Sequence, residues 1–167
     1  MTKRALAFGL ILLSLAACAR GGGGAAGHEV VGLRIGMSRD DAVRRLEQVG
    51  RKERDERKQQ EVWALKDHPD YTHLLVGFNK EKTEVRYVTA VAKPGRVRYA
   101  DVVDVQKAKQ TDAANNHTYE QEVGARDGRP AYIISARGTD PQHLAYYSLK
   151  RYDAAGAEEE GEENKQQ

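Results

Sequence analysis

The 167-residue chain is poor in cysteine and in large aromatic side chains, with one cysteine, one tryptophan and two phenylalanines. A single cysteine excludes a disulfide within the chain and a metal site built from several cysteines. Since large aromatic residues are so few, the core must be filled mainly by valine, leucine, alanine and the eight tyrosines. The apolar run over residues 5–17 would span roughly 20 Å as a helix, less than the roughly 30 Å hydrocarbon core of a bilayer.

An excess of positive charge is also lacking once residues 1–17 are set aside. That segment holds Lys3, Arg4 and no acid, so residues 18–167 carry 25 basic and 25 acidic residues. This balance argues against a globally basic nucleic-acid binder. The sequence contains no G-x-S-x-G, no H-E-x-x-H and no phosphate-binding glycine loop. We therefore expect no cofactor and no enzyme activity, and a hydrolase built from dispersed residues is the least favoured alternative.

Residues 1–17 have the features of a signal peptide, because two basic residues precede a short apolar run. The run ends in Leu-Ala-Ala and is followed directly by Cys18. This resembles the lipobox of bacterial lipoproteins, which implies cleavage between Ala17 and Cys18 and attachment of lipid to Cys18. An ordinary secretory signal with a chance cysteine is the less favoured alternative.

The lipobox makes a membrane the first predicted partner. Three acyl chains, at about 0.8 kcal/mol per buried methylene, would anchor the chain almost permanently. Ala19 follows the cysteine in place of the aspartate that retains enteric lipoproteins at the inner membrane, which implies the periplasmic face of the outer membrane. Residues 18–27 are glycine-rich and are predicted to be a flexible tether. Residues 154–167 carry five glutamates and are predicted to be a disordered acidic tail.

Residues 28–153 are predicted to form a single α+β domain that begins with a helix over residues 39–49. Ser38 is a good N-cap, and Asp41 lies three residues further on, as in a capping box. An apolar stripe follows at helical spacing: Ala42, Val43, Leu46 and Val49. Gly50 is typical of the residue that ends a helix.

Strand patterns follow the helix, and one helix before a run of antiparallel strands indicates the α+β class. The predicted strands are 61–65, 71–78, 85–92, 117–123, 131–137 and 144–152. The strand over 85–92 is apolar on both faces and is expected to be central. Three segments are less defined: 51–60 as a helix extension or mobile loop, 97–105 as a strand closing in a short helix, and 111–116 as a polar loop. No persuasive internal repeat is visible in the sequence.

A basic neighbourhood around the end of the helix is the first candidate interaction surface. Its members are Arg44, Arg45, Arg51, Lys52, Arg54, Arg57 and Lys58. These residues suit anionic lipid headgroups or an acidic partner. Interleaved acids instead favour a solvated surface of alternating charge, which we consider the better interpretation.

Two further groups have a functional and a structural interpretation. His68, His73, Asp67 and Asp70 have metal-ligand chemistry, but residues of this kind around a proline more often cap a turn. No metal site is therefore predicted. The eight tyrosines all lie beyond residue 70. An exposed tyrosine patch would suit a protein interface, whereas strand tyrosines more often bury their rings, so a core role is favoured over an interface.

Residues 30–92 resemble the SmpA/OmlA (BamE) family of small outer-membrane lipoproteins. The resemblance is carried by Ile35-Gly36-Met37-Ser38, Val43, Leu46, Trp63, Leu74, Val76, Phe78 and Val85. It implies a helix packed on a three-stranded antiparallel sheet and a role beside the machinery that inserts β-barrels into the outer membrane. A wider set with this unit includes β-lactamase-inhibitor-like domains, which bind proteins. We therefore expect a binding or scaffolding role, with an inhibitor-like or ligand-binding domain as the alternative.

Overall fold

The computed structural model describes residues 29–56, 60–126 and 128–152, with the side chains of residues 54–56 excepted. The predicted leader, Cys18 with its tether, and the acidic tail lie outside this part, as do Arg57 and Lys58. The described elements are α1 (Arg39–Val49), β1 (Gly50–Glu56), β2 (Gln60–Leu65), β3 (Tyr71–Phe78), β4 (Val85–Ala92), a short 3₁₀ helix (Tyr99–Asp101), β5 (Lys109–Ala113), β6 (Asn116–Val123), β7 (Tyr132–Gly138) and β8 (Tyr146–Arg151). The predicted α+β class is confirmed at this level.

All eight strands form one antiparallel sheet in the order β1-β2-β3-β4-β8-β7-β6-β5. The sheet therefore consists of two four-stranded meanders joined where β4 pairs with β8. In the middle of that junction Thr89 lies opposite Ser148. Outward from this junction, each meander runs through its strands in reverse chain order, from β4 to β1 on one side and from β8 to β5 on the other. Each meander follows a helical segment in the chain, α1 before the first and the 3₁₀ helix before the second.

Helix α1 begins as predicted. The Ser38 Oγ accepts the Asp41 N–H at 3.2 Å and its hydroxyl donates to Asp41 Oδ2 at 2.7 Å. This hydrogen bond lowers the pKa of the Asp41 carboxyl below its ordinary value. Gly50 ends the helix in extended geometry, with φ −162°, and is the first residue of β1. A Cβ on Gly50 would overlap the carbonyl oxygen of Ala64, so the glycine permits β1 to approach β2 closely.

The two edge strands contradict the predictions for their segments. Most of the segment 51–60 belongs to strands β1 and β2 rather than to a helix extension or loop, and Lys109–Ala113 with Asn116 forms part of a hairpin rather than a polar loop. The hairpin turns at Ala114, whose φ is 52°. Both strands pair on one side only, and all their residues except Gly50 and Ala113 are polar. An edge strand of this kind buries no stripe, so it lacks the alternation by which strands are recognised in a sequence.

The core lies on one face of the sheet and includes residues of both meanders. Its sheet residues include Leu74, Val76, Val88, Ile134 and Leu149, all at most 1% exposed. Helix α1 covers the first meander with Ala42 and Leu46, together with Val30, Leu33 and Ile35 from the preceding segment. Residues 97–108, which contain the 3₁₀ helix and no strand, cover the second meander with Val97, Tyr99, Val102 and Val103. One continuous hydrophobic cluster results.

Candidate functional site: the open face of the sheet

In the described part of the chain, α1 and residues 97–108 both pack on the core face of the sheet, and neither of them covers the opposite face. Residues paired across a ladder share a face, and neighbours along a strand point to opposite faces. Val88, Leu149 and Ile134 are register partners in the core. The residues that alternate with these along each strand therefore form the opposite face of the sheet, which we call the open face. On the four central strands it consists of His73, Leu75, Gly77, Tyr87, Thr89, Val91, Ile133, Ser135, Arg137, Tyr146, Ser148 and Lys150.

The middle of the open face is built from small hydroxyl side chains. Thr89 Oγ1 and Ser148 Oγ lie 2.9 Å apart and are hydrogen bonded. Ser135 is the next residue in this row, opposite Ser148. On the other side, Leu75 lies opposite Thr89 and Val62 opposite Leu75. The first meander thus places mainly apolar side chains on its half of the open face, although Val62 is only 6% exposed, and the second meander places mainly polar ones, which we call the apolar half and the polar half.

Tyr87 covers part of the apolar half. Its ring lies where a Cβ of Gly77 would be, so any larger residue at position 77 would displace it. Its hydroxyl donates a hydrogen bond to Gln60 Oε1 on β2. Because both ends of this side chain are held, its orientation is fixed before any partner binds.

Exposed tyrosines lie at both ends of the β8 row on the open face, Tyr146 at the first residue of the strand and Tyr152 directly after its last residue. Three large hydrophobic side chains are exposed in the described part of the chain: Val105 at 40%, Tyr146 at 47% and Tyr152 at 51%. Tyr146 belongs to the open face by its register. The Tyr152 N–H donates to the Ala131 carbonyl at 2.9 Å, so the strand alternation continues to Tyr152 and places it on the same face.

A depression of about 240 Å³ adjoins Tyr146. It is lined by Asn116, Arg137, Gly138, Thr139, Ala145 and Tyr146. An exposed aromatic ring beside a small pocket is typical of the anchor points of protein interfaces. The tyrosines are therefore divided: Tyr99, Tyr132 and Tyr147 are buried in the core, whereas Tyr146 and Tyr152 are available for contact.

A second cavity, of about 500 Å³, lies between α1 and the first two strands. Its floor contains Glu61, which is 5% exposed. Glu61 Oε1 lies 3.0 Å from Arg39 Nη2 and 3.2 Å from Lys52 Nζ, and Oε2 accepts the Trp63 indole N–H at 3.0 Å. Both oxygens of the carboxylate are therefore paired within the protein, which favours a structural role for Glu61. Sequence reasoning missed this residue, although a glutamate beside Val62 and Trp63 in a strand was a signal for it.

The predicted basic neighbourhood is divided between the two sides of the sheet. Arg44 is exposed on α1 and pairs with Asp41, and Arg45 donates to the Val31 carbonyl at 3.4 Å. On β1, Arg51 lies opposite Ala64 on the side of the open face, whereas Lys52 lies opposite Trp63 on the core side.

Most of these cations already have acidic partners. Arg51 lies 3.9 Å from Glu53, and Lys52 contacts Glu61. The backbone of Arg54 pairs with Val62, and its side chain lies outside the described part of the structure. The five residues predicted as one interaction surface are thus not brought together on one face.

The histidines of the first meander are placed separately. His68 Nδ1 accepts the backbone N–H groups of Asp70 and Tyr71 at 3.1 and 3.2 Å, so His68 caps its turn. Burial lowers the pKa of His68, in agreement with an imidazole that accepts hydrogen bonds. His73 lies instead on the open face, with its Nε2 3.4 Å from Glu53. Among residues 29–56, 60–126 and 128–152, no three metal-ligating side chains are grouped closely enough to hold an ion.

Comparison with models of protein families, with curated proteins and with solved structures finds no match for this chain. Within the described ranges, no helix has the length and apolar character needed to cross a bilayer. The open face therefore has to be interpreted from its own geometry and chemistry.

Proposed function

We propose that this protein is a lipid-anchored envelope protein that binds another protein on the open face of its sheet. The observation that carries the proposal is the open face itself, with Tyr146 and Tyr152 exposed at the two ends of its β8 row. The lipobox at Cys18 supports the anchor and the envelope location. In this proposal the protein positions its partner near the membrane and catalyses no reaction.

The size of the open face suits a protein partner. Eight strands at about 4.8 Å spacing are about 38 Å wide, and strands of six residues are about 20 Å long. The resulting area, about 750 Å², is close to the roughly 800 Å² that each partner contributes to a typical stable interface. The apolar half, the central hydroxyl row and the exposed tyrosines together have the mixed composition of such interfaces.

Outer-membrane assembly proteins are the partners we favour. The resemblance of residues 30–92 to the SmpA/OmlA (BamE) family supports this choice. Helix α1 and strands β2 to β4 correspond to the helix and three strands that the resemblance implies. Strand β1 is an addition to that unit, so the proposal concerns the setting and the class of partner rather than any contact residue.

An inhibitor-like domain that binds a soluble target is the second candidate. The observation in its favour is that β5 to β8 continue the same open face and roughly double its width. A surface of this breadth could cover the active-site rim of an enzyme. In that case the partner would be a single periplasmic or extracellular protein and not a membrane assembly.

Photo-crosslinking in intact cells tests both candidates. A benzoylphenylalanine at position 146 is expected to capture a defined protein, because Tyr146 is an exposed aromatic residue of the open face. The matched control is the same probe at position 105, since Val105 is similarly exposed but lies in the segment that covers the core face. Capture of a barrel-assembly protein would support the first candidate, and capture of a soluble enzyme the second. No product at 146, or the same product at 105, would refute the proposal.

A further inference from the structure

Strand β1 forms one edge of the sheet, and within the described ranges no other strand pairs with its outer side. The backbone of an edge strand offers its outward N–H and C=O groups to a further strand. Six consecutive residues of β1 are charged: Arg51, Lys52, Glu53, Arg54, Asp55 and Glu56. Charges on an edge strand usually prevent its pairing with another chain. Whether they do so here depends on the order of their signs.

The signs of these six charges are complementary to their own reverse order. They read plus, plus, minus, plus, minus, minus along the strand. When a second copy of β1 runs antiparallel to the first, one register joins opposite charges at every position, and its facing pairs are Arg51 with Glu56, Lys52 with Asp55, and Glu53 with Arg54. Opposite charges that face each other across two strands stabilise the pair, and like charges destabilise it. A slip of one, two or three residues in either direction brings at least one like-charged pair face to face.

A bulge in β1 makes this register geometrically possible. Facing residues of two paired strands lie on the same face of the sheet, whereas neighbours along a regular strand lie on opposite faces. Arg51 and Glu56 are an odd number of positions apart, so in a regular strand they would lie on opposite faces. The pairing of β1 with β2, however, shifts by one residue between Lys52 and Arg54, which makes Glu53 an extra residue.

The extra residue brings the members of each facing pair to one face. Two of the six positions lie on the core side by their pairing with β2: Lys52 and Asp55. Three others lie on the side of the open face: Arg51, Arg54 and Glu56. The Glu53 carboxylate lies 3.4 Å from Nε2 of His73, an open-face residue, so the extra residue belongs to that side as well. All three facing pairs therefore share a face.

We propose that two copies of this chain associate through β1, as antiparallel edge strands with Arg51 of each copy opposite Glu56 of the other. The two sheets then become one continuous sheet, with both open faces on the same side. The interface is closed, because the same strand serves both copies. The other edge, at β5, is less suitable. Its two charged residues, Lys109 and Asp112, are three positions apart in a strand without a bulge, so a twofold pair cannot bring them face to face.

The contacts that β1 already makes are compatible with this pairing. The Arg51 side chain is 83% exposed, and its contact with Glu53 is long, at 3.9 Å. Lys52 keeps its contact with Glu61, and a lysine ammonium has three donors, so it can also meet a carboxylate of the second copy. The interface is one strand long and its ion pairs are screened by salt, so the association is weak and reversible. It requires neither the lipid anchor nor a partner on the open face.

Sedimentation velocity of the full chain in detergent, with micelles in large excess over protein, tests the association. We expect the wild type to dimerise at low salt, and about 0.5 M salt to weaken the dimer about tenfold or more. Arg51→Glu and Glu56→Arg should each weaken it about tenfold or more, because each makes two facing pairs like-charged. Arg96→Glu, a charge reversal at an exposed residue outside β1, is the matched control and should leave the dissociation constant unchanged.

Mixtures of variants identify the register. Arg51→Glu mixed with Glu56→Arg restores opposite charges at both altered contacts, so the mixed dimer should be about as tight as that of the wild type. Arg51→Glu mixed with Asp55→Lys leaves two like-charged pairs in the proposed register and should not recover. A wild type that stays monomeric up to about 100 μM would overturn the proposal. A dimer unaffected by Arg51→Glu, or equal recovery in the two mixtures, would overturn it as well.

Discussion

Replacing Glu61 with glutamine tests whether the buried carboxylate holds α1 to the first two strands. The substitution keeps the shape of the side chain and an oxygen that can accept the Trp63 indole N–H. It removes the negative charge that faces Arg39 and Lys52 at 3.0 and 3.2 Å. It also places the two amide N–H donors of glutamine close to Arg39 and Lys52, whose side chains are donors only and cannot accept a hydrogen bond.

The expected loss of stability depends on how well water can replace the hydrogen bonds that Arg39 and Lys52 lose. Hydrogen bonds to charged groups contribute about 1.5–3 kcal/mol each. The side chains of Arg39 and Lys52 are 39% and 35% exposed, so water replaces part of what they lose. We therefore expect Glu61→Gln to lower the free energy of unfolding by about 2 kcal/mol, well below the sum of two such bonds.

Urea unfolding of the wild type and variant, followed by Trp63 fluorescence, measures this loss. Glu53→Gln is the matched control, because Glu53 lies on the neighbouring strand but is exposed and makes only longer contacts. The control should lose less than about 0.5 kcal/mol, as exposed ion pairs do. Equal losses for Glu61 and Glu53 would show that burial gives this carboxylate no special role.

Tyr147→Phe should raise the free energy of unfolding by about 1 kcal/mol in urea, because the buried Tyr147 hydroxyl has no hydrogen-bond partner in the described part of the chain; a loss would reveal a missed partner. Leu46→Ala should cost about 2–4 kcal/mol in the same assay, since Leu46 is 0% exposed, and a loss below about 0.5 kcal/mol would contradict its packing. Cys18→Ser should leave an unprocessed precursor without lipid, detectable by intact mass, whereas a wild-type protein without acyl mass would contradict the lipobox. Truncation after Asp153 should change the Tm by less than about 2 °C in calorimetry, because the glutamates of residues 154–167 repel one another and the segment has nothing to bury against a core, and a large drop would show that the tail docks on the domain.

Periodic segments could be predicted from the sequence, and edge strands could not. The cap and the apolar stripe predict helix α1 at its observed bounds, Arg39–Val49, and the long apolar patterns of β3 and β4 predict these strands correctly. Strands β1 and β5 lack any such stripe because they lie at the edges of the sheet. Their polar residues therefore fit a loop equally well in the sequence.

The open face could not be predicted because it depends on the pairing of distant strands. The sequence shows the alternation of Tyr146 and Ser148 with Tyr147 and Leu149, but it does not show that β8 pairs with β4. Only that pairing brings Thr89 beside Ser148 and joins the two meanders into one surface. Glu61 was missed for a related reason, since its partner Arg39 lies 22 residues away on the helix.

The position of β8 has a consequence for how the chain folds. It is the last described strand in sequence, yet it lies in the middle of the sheet. A chain emerging from its amino terminus can form the first meander once β4 is available, but the pairing edge of β4 then stays open for more than 50 further residues. An unpaired apolar strand is a template for wrong pairing and aggregation. We therefore expect folding to be limited by the arrival of β8, and chaperones that bind extended apolar segments to act on the exposed edge of β4.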